Sequence, residues 1–143
     1  MPLRGPQRAG GRDVADGARL ALARANGRVA PLSVRAIYLD DTPVGFVMLE
    51  DQTLSVPPPA DPRISLWRYM IDARYQRQGI GRVALGLVID EVRRRKRFTS
   101  LETSYVPGPG CPEPFYLGLG FRHAGRLDGR EVVLELPLDE PAR

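Results

Sequence analysis

Residues 71–82 of the chain read IDARYQRQGIGR, and this stretch decides how the rest of the sequence is interpreted. It lies between a β-prone run and an apolar helical pattern that begins after Gly79 and Gly81. A helix N-terminus leaves backbone N–H groups unpaired and carries partial positive charge, so a glycine-rich turn there lets an anion approach the backbone. With Arg77 and Arg82 beside the glycines, the stretch predicts a phosphate-binding turn.

The same stretch lacks the marks of two common nucleotide sites. No Gly-Lys-Ser/Thr follows it, so it is not a P-loop. The third glycine of the dinucleotide fingerprint is absent because Leu85 and Gly86 fall out of register. Nucleotide hydrolysis and hydride transfer therefore lose support. An ordinary strand-to-helix turn stays as the plain structural alternative.

Upstream of the turn, hydrophobic periodicity and turn residues define the elements. Apolar residues at helical spacing, from Val14 to Ala25, predict an amphipathic helix that stops at Asn26 and Gly27. The predicted order is a poorly ordered start over 1–12, a helix over Asp13 to Ala25, a hairpin of strands Val34 to Leu39 and Val44 to Leu49, and a strand over Ile64 to Ile71.

Downstream of the turn, the best-defined helix carries its apolar face on Val83, Leu87, Val88 and Val92. The remaining predicted elements are a strand over Phe98 to Tyr105, a short helix near Glu113 to Leu119 that stops at Gly120, and two strands over Phe121 to Leu127 and Glu131 to Leu136. Strands and helices in this order predict one α/β domain over residues 1–143 with a mixed sheet.

The turn resembles the Gln/Arg-x-x-Gly-x-Gly/Ala signature of the GNAT superfamily, with Gln76, Gly79 and Gly81 at its positions. The resemblance extends from about Val34 to Leu136. The segments that look like the bacterial spermine/spermidine (diamine) N-acetyltransferase branch are Leu66 to Asp72, Tyr75-Gln76, Ser104 to Gly108 and Phe115 to Phe121.

The resemblance implies a GNAT fold, with a mixed, mostly antiparallel sheet, a central splayed parallel strand pair and flanking helices. It also implies acetyl-CoA as cosubstrate, with no metal, and direct transfer of the acetyl group to a primary amine in a ternary complex. A polyamine or another small amine is the expected acceptor. The cofactor-binding residues that it implies are Met70, Ile71, Gln76, Arg77, Gln78, Gly79, Ile80, Gly81 and Arg82.

The sequence departs from the family pattern at three places. Residues 109–112 read Pro-Gly-Cys-Pro where the family usually carries an Asn that helps to hold CoA. Trp67 stands where some polyamine acetyltransferases place a carboxylate. The region before Val34 is short for the superfamily, whose first strand and helices help to wall the acceptor pocket.

Two residues are the catalytic candidates. The resemblance implies that Tyr116 is the general acid for the departing CoA thiolate, because the matching Tyr in GNAT enzymes points at the sulfur. Glu102 is the candidate base, and Glu50 is the second choice. The alternative is that both are solvent-facing strand residues without a catalytic role, because exposed Glu is common. Backbone N–H groups around Ile71 are expected to hold the carbonyl oxygen. Asp51 joins the two glutamates as an acidic residue for a cationic acceptor.

Other reactive or aromatic side chains are expected to be structural. Cys111 and His123 lack activating partners. For the aromatic residues Trp67, Tyr69 and Phe115 we expect core packing, with an acceptor-pocket role for Trp67 as the alternative.

Composition bounds the remaining function classes. One Cys and one His are too few for a disulfide framework or a zinc site. The net charge of +4 is not accompanied by a nucleic-acid recognition motif, and no apolar run is long enough for a membrane span. We therefore expect a cytoplasmic protein with no nucleic-acid or membrane partner. A homodimer, a non-catalytic acyl-CoA-binding or regulatory module, and an aminoglycoside or protein N-acetyltransferase stay open as alternatives.

Overall fold

The computed structural model describes residues 12–13, 19–24 and 31–138. Within these ranges the chain forms eight strands and two α-helices. The strands are β1 Arg12–Asp13, β2 Arg19–Arg24, β3 Leu32–Leu39, β4 Thr42–Asp51, β5 Ile64–Ile71, β6 Ser100–Tyr105, β7 Arg122–Asp128 and β8 Glu131–Pro137, and the helices are α1 Ile80–Arg95 and α2 Glu113–Gly118. The poorly ordered start predicted for residues 1–12 lies outside the described residues, apart from Arg12.

The described strands form one sheet in the order β1-β2-β3-β4-β5-β6-β8-β7. Every neighbouring pair is antiparallel except β5 and β6, which are parallel. The helix α1 connects these two strands, because a parallel pair needs a long crossover. The predicted fold class, a mixed and mostly antiparallel sheet with one parallel pair at its centre and flanking helices, is confirmed.

The helix predicted over Asp13 to Ala25 is wrong where the structure describes it. Residues 19–24 form strand β2, which pairs with β3 from Leu20↔Leu39 to Arg24↔Arg35. The four residues Leu20 to Ala23 are all buried, because β3 lies beside them and helix α1 packs close to β2. Pairing and burial thus outweigh the helix propensity of Leu and Ala. Residues 14–18 and 25–27, on which the prediction also depended, lie outside the described residues.

Helix α1 covers one face of the sheet, which we call the core face. Val88 and Val92 are buried as predicted, whereas Val83 and Leu87 are half-buried at the edge of the core. The centre of the contact is formed by Ile80, Ala84, Leu85 and Ile89. The apolar face is thus turned by about one residue from the predicted one.

Two partly buried ion pairs fix α1 to the sheet. The Arg35 Nη2 atom donates to Glu91 Oε1 at 2.7 Å, and Arg35 is 3% exposed. Near the end of the helix, Arg95 Nη1 donates to Asp51 Oδ2, also at 2.7 Å. Because Asp51 faces α1, the neighbouring Glu50 faces away from it by strand alternation. We call the surface that carries Glu50 the far face.

Strands β5 and β6 separate soon after they meet. Their parallel ladder consists of Ile64↔Leu101 and Ser65↔Glu102. On the other side of β5, Met48 pairs with Arg68 and Leu49 with Leu66, so Trp67 is an extra residue, a β-bulge. A bulge bends and twists its strand. The bulge therefore lies where the gap between β5 and β6 begins, which is the splay that the family resemblance implied.

Candidate functional site

The turn between β5 and α1 is shaped by two left-handed residues. Arg77 has φ +63° and Gly79, the N-cap of α1, has φ +78°. A Cβ at Gly79 would meet no atom within 4 Å, so the glycine is needed for its conformation and the space beside it is open. The first N–H groups of α1 have no partner within the helix. The turn therefore presents backbone donors to an open space beside two arginines.

The side chain of Gln76 stabilises the turn. Its Nε2 atom donates to the carbonyl oxygen of Ile71 at 2.8 Å, so the side chain ties the turn to the end of β5. Arg82, in the first turn of α1, reaches the Gly118 carbonyl oxygen of α2 at 3.5 Å. The turn is thus held by β5 on one side and by α2 on the other.

The second glycine of the turn, Gly81, is needed for the space beside it. A Cβ at Gly81 would lie 2.9 Å from the hydroxyl oxygen of Tyr69. That hydroxyl donates a hydrogen bond to the Gly81 carbonyl oxygen, and burial raises the pKa of the phenol well above its usual value. Gly81 thus makes room for a side chain of β5, which the sequence did not reveal.

A cavity of about 680 Å³ opens between the end of β5, the turn and α2. Its aromatic wall belongs to a row of stacked and tilted rings that joins β5, α2 and Phe121, the residue before β7. Tyr69 stacks on Phe115 at 6.3 Å, Phe115 meets Tyr116 at 5.6 Å, and Tyr116 meets Phe121 at 5.5 Å between centroids. We call this the turn cavity; its lining residues are Tyr69, Met70, Ile71, Gln76, Arg77, Gly79, Gly81, Arg82, Pro112, Phe115 and Tyr116.

Seven of the nine predicted cofactor residues line the turn cavity. The two others do not: Ile80 is 2% exposed in the core, and the Gln78 side chain is exposed, with its amide 3.4 Å from the Arg74 carbonyl oxygen. The side chain of Ile80 points away from the cavity because α1 begins at this residue and turns it toward the sheet.

Tyr116 lines this cavity and is buried, with 8% of its surface exposed. Burial raises the pKa of its phenol above the usual value. Thr103, on β6, is buried as well, and its hydroxyl donates to the Leu66 carbonyl oxygen at 3.4 Å. The Tyr116 phenol therefore keeps its proton at neutral pH.

A second concavity, of about 330 Å³, lies on the far face of the sheet. Its charged lining is mainly acidic, with four carboxylates and one arginine. Trp67 is 53% exposed there, so core packing is wrong for this residue; its neighbour Leu66 is buried in the core, and strand alternation turns Trp67 to the opposite face. We call it the far-face concavity; its lining includes Glu50, Leu66, Trp67, Glu102, Thr103, Arg126, Asp128 and Glu131.

The acidic candidates separate into different environments. The Oε1 atom of Glu102 accepts from Arg126 at 2.8 Å and from Arg63 at 3.1 Å. Glu50 lines the far-face concavity without such a pair among the contacts described. Asp51 is wrong as an acceptor-site residue, because it is 1% exposed and is bound to Arg95 and Thr53. Strand alternation places Asp51 on the core face.

The single His lies at the surface beside a carboxylate. His123 Nε2 is 3.5 Å from Glu113 Oε2, and both side chains are partly exposed. Tyr105 donates a hydrogen bond to Glu113, which raises the pKa of that phenol to about 12. Cys111 is half-buried in the loop before α2. This group flanks α2 and lines neither of the two cavities.

Sequence reasoning missed Thr103 altogether. A single Thr in a strand carries no motif, and its meaning comes only from its place beside the gap. Tyr69 packs against the core as expected, but it is half-buried and also lines the turn cavity. Gly81 was the signal that could have indicated this role, because a glycine in the first turn of a helix leaves room for a neighbouring side chain.

The structure thus combines a parallel strand pair that splays with a glycine-rich helix start beside the gap, as the family resemblance implied. Residues 12–107 match the model of the acetyltransferase (GNAT) family, and the chain belongs to that family. Members of this family use acetyl-CoA and transfer its acetyl group.

Solved structures share the fold at low sequence identity. An acetyltransferase from Thermus thermophilus is 23% identical with a TM-score of 0.60, covering 76% of this chain and 66% of its own. The PaiA N-acetyltransferase from Thermoplasma acidophilum, in complex with coenzyme A, is 20% identical with a TM-score of 0.57, covering 74% and 60%. The ribosomal-protein-S18-alanine N-acetyltransferase from Escherichia coli is 22% identical with a TM-score of 0.61, covering 81% and 75%.

At these identities the likeness establishes the fold. The chain spans slightly less than two thirds of the first two of these proteins. No curated protein matches the sequence significantly. Among the described residues, no helix is long and apolar enough to cross a membrane, and no cluster of three or more metal-binding side chains occurs.

Proposed function

We propose that this protein is an acetyl-CoA-dependent N-acetyltransferase that acetylates a primary amine directly in a ternary complex. The observation that carries the proposal is that two cavities border the splay. On β5, Leu66 and Trp67 line the far-face concavity, and the next residues, 69–71, line the turn cavity together with Tyr116. A donor and an acceptor that enter from opposite faces of the sheet would meet there.

The turn cavity fits acetyl-CoA. Gly79 leaves open space at the start of α1, and Arg77 and Arg82 add positive charge where a pyrophosphate would lie. Beyond Ser65 the edge of β5 next to the gap has no ladder with β6, so an amide-containing arm can lie along it. When bound, acetyl-CoA supplies an activated thioester carbonyl and a thiol leaving group.

Tyr116 is the proposed general acid. Its burial keeps the phenol protonated at neutral pH, so it can give its proton to sulfur as the C–S bond breaks and the electron pair passes to sulfur. The amine nitrogen forms the new C–N bond and releases its proton to a base, and solvent returns a proton to the phenol. We propose the backbone N–H of Ile71 as the donor to the carbonyl oxygen.

The base is proposed to be a far-face carboxylate. Glu102 stays the first candidate, although its Oε1 atom already accepts from two arginines. Glu50 lines the same concavity and is the second candidate. Water is the third, because an amine needs only a short path to solvent through an exposed concavity.

The proposed acceptor is a polyamine or another small amine. Four carboxylates against one arginine favour a cation in the far-face concavity, and Trp67 offers an exposed ring. The resemblance of residues 66–72 to the spermine/spermidine branch supports the same choice. The PaiA N-acetyltransferase shares the fold. We also propose a cytoplasmic location, where acetyl-CoA is available.

Thiol release from acetyl-CoA tests the function. The protein is assayed with a diamine, a polyamine, an aminoglycoside, a lysine peptide and a peptide with a free N-terminal alanine, with the product checked by mass. Turnover with the diamine or polyamine at the highest kcat/KM supports the proposal. Turnover with peptides or the aminoglycoside alone would overturn the acceptor class and keep the reaction. Binding of acetyl-CoA by calorimetry, without thiol release for any amine, would favour the non-catalytic module.

A further inference from the structure

The arginine in the lining of the far-face concavity is Arg126. Its Nη2 atom donates to Glu102 Oε1 at 2.8 Å, and Arg63 Nη1 donates to the same oxygen at 3.1 Å. A smaller cavity of about 260 Å³, which we call the side cavity, borders the concavity. Glu102 and Arg126 line both, whereas Arg63 lines the side cavity and not the concavity. Arg126 therefore covers Glu102 on the side of the far-face concavity, and Arg63 does not.

An irregularity in β7 brings Arg126 to this place. The ladder between β7 and β8 is interrupted between His123 and Leu127, so Arg126 lies outside it. Gly125, just before it, has a left-handed conformation with φ +79°. Because β8 lies between β6 and β7 in the sheet, the guanidinium of Arg126 reaches across a strand to contact Glu102 on β6. This contact thus depends on a local departure from regular strand pairing.

The carboxylate of Glu102 needs a positive charge beside it. Glu102 and Glu135 are Cα partners in the ladder of β6 and β8, and both line the side cavity. Like charges at opposite positions destabilise a strand pair. Arg126 and Arg63 offset this repulsion at Glu102. The ammonium group of an acceptor would offset it as well, because the repulsion is relieved by any positive charge at the carboxylate.

The ion pair of Arg126 and Glu102 is weak enough to be exchanged for another. The side chain of Arg126 is 45% exposed, and that of Glu102 is 16% exposed. Ion pairs near the surface contribute little to stability, because water screens them and long side chains lose entropy when they are fixed. Arg126 can therefore turn into solvent at small cost. Glu102 keeps its position meanwhile, because it is still bound to Arg63.

We propose that Arg126 is a specificity-determining residue, which occupies the place of the acceptor's ammonium group at Glu102 and is displaced when a cationic amine binds. The inference rests on the proposed function, in which the acceptor amine enters the far-face concavity. Displacement breaks one ion pair and forms another at the same carboxylate, so the charge balance of the site is kept. An uncharged amine cannot make this exchange, and Arg126 thus selects for cationic acceptors.

The first test removes each arginine in turn from the same carboxylate oxygen. At about 0.15 M salt, where distant surface charges are screened, we expect Arg126→Gln to lower the KM for diaminobutane about two- to fivefold, because a competitor is lost. Arg63→Gln is the matched control, and its KM should fall by less than about twofold, because Arg63 lies outside the concavity. Equal falls in both variants would overturn the proposal, since they indicate only a general loss of positive charge.

An uncharged acceptor separates the charge of Arg126 from its size. Anisidine, an arylamine that is neutral at neutral pH, gains little from a carboxylate that has been freed of its arginine. Its KM in Arg126→Gln should therefore stay within about twofold of wild type. If the KM values for anisidine and diaminobutane fall equally, Arg126 acts by occupying space, and its role in selecting cations is refuted.

The last test does not depend on turnover or on acetyl-CoA. Arginines labelled with ¹⁵N at Nε are observed by NMR, and the signals of Arg126 and Arg63 are assigned by their loss in the two Gln variants. We expect added diaminobutane to shift the Arg126 signal more than the Arg63 signal, with saturation judged by calorimetry. An unmoved Arg126 signal at saturation, or no binding of diaminobutane, would overturn the inference. If the wild type acetylates no amine, the proposed function fails, and this titration still decides whether a cationic amine displaces Arg126.

Discussion

The two cavities on either side of the splay are built from the chain in different ways. The turn cavity takes most of its lining from residues 69–82, a nearly continuous segment, and adds α2. The far-face concavity takes its lining from β4, β5, β6, β7 and β8, which are far apart in sequence. The first is therefore encoded locally and could be identified from a motif. The second exists only when the sheet has assembled.

The turn cavity and the far-face concavity also differ in the charge of their linings. The turn cavity combines aromatic walls with two arginines and helix N–H groups, which suits an anionic ligand with an apolar arm. The far-face concavity is lined mainly by carboxylates, which suits a cation. A pair of substrates with opposite charges would thus be kept apart until they meet at the splay, and variants of each cavity should affect one substrate and not the other.

Tyr116→Phe should have the largest effect, because it removes the hydroxyl of the proposed general acid. We expect kcat to fall by about 10²-fold or more, equivalent to at least ~2.7 kcal/mol of barrier, with little change in acetyl-CoA affinity. The ring still packs against Phe115 and Phe121, so the thermal midpoint should hold. Steady-state kinetics and calorimetry check both parts. A kcat within about threefold of wild type would reduce Tyr116 to a packing residue.

The neighbouring residues Glu50 and Asp51 offer a matched pair for the two faces of the sheet. Asp51→Asn breaks a buried contact with Arg95 and should lower the free energy of unfolding by about 2 kcal/mol, less than for a fully buried pair because Arg95 is partly exposed. Its effect on kcat/KM should be small.

Glu50→Gln is the control, and we expect the reverse pattern: little change in stability and a KM for a diamine that rises severalfold. Urea unfolding and acceptor kinetics measure the two effects. Equal loss of stability in both variants would contradict the assignment of the faces.

The two glycines of the turn should respond to alanine for different reasons. Gly79→Ala places a Cβ on a left-handed residue in open space, which costs about 1–2 kcal/mol, and we expect the KM for acetyl-CoA to rise up to about tenfold. The Cβ of Gly81→Ala pushes against the Tyr69 hydroxyl, and we expect this variant to bind coenzyme A more weakly. Adding Tyr69→Phe removes the contacting atom and should restore part of the affinity. Calorimetry with coenzyme A measures the affinity of the single and double variants. No rescue by Tyr69→Phe would show that Tyr69 is not the obstacle.

The smallest expected effect concerns stability at alkaline pH. The hydrogen bond to Glu113 raises the pKa of Tyr105 to about 12, above its value of 10.0 in the unfolded chain. The folded state therefore holds this proton more tightly, and the stabilisation is complete below pH 10 and is lost as the pH rises toward 12.

Tyr105→Phe should flatten the fall of the thermal midpoint between these pH values. Glu113→Gln should have the same effect, since it removes the partner. An equally steep fall in both variants would mean that other groups control alkaline stability, for example the buried phenols of Tyr69 and Tyr116.

The sequence by itself determined the parts that depend on neighbouring residues. The strand Ile64–Ile71, the helix that begins after Gly79, and the hairpin around residues 40–43 all follow from local periodicity and turn chemistry. The glycine-rich turn also follows from local sequence, because an anion site made of backbone N–H groups needs only a few consecutive residues. Tyr116 was identified from a motif within a short helix.

Only the tertiary structure decided the rest. It made residues 19–24 a strand, because β3 and α1 bury a segment whose local pattern also suits a helix. It placed Asp51 on the core face and Glu50 on the far face, and it left Trp67 exposed beside a bulge whose partners lie on β4. It also brought the hydroxyl of Thr103 to the Leu66 carbonyl oxygen at the start of the gap. Each of these outcomes depends on contacts between residues far apart in the chain, and local sequence does not specify such contacts.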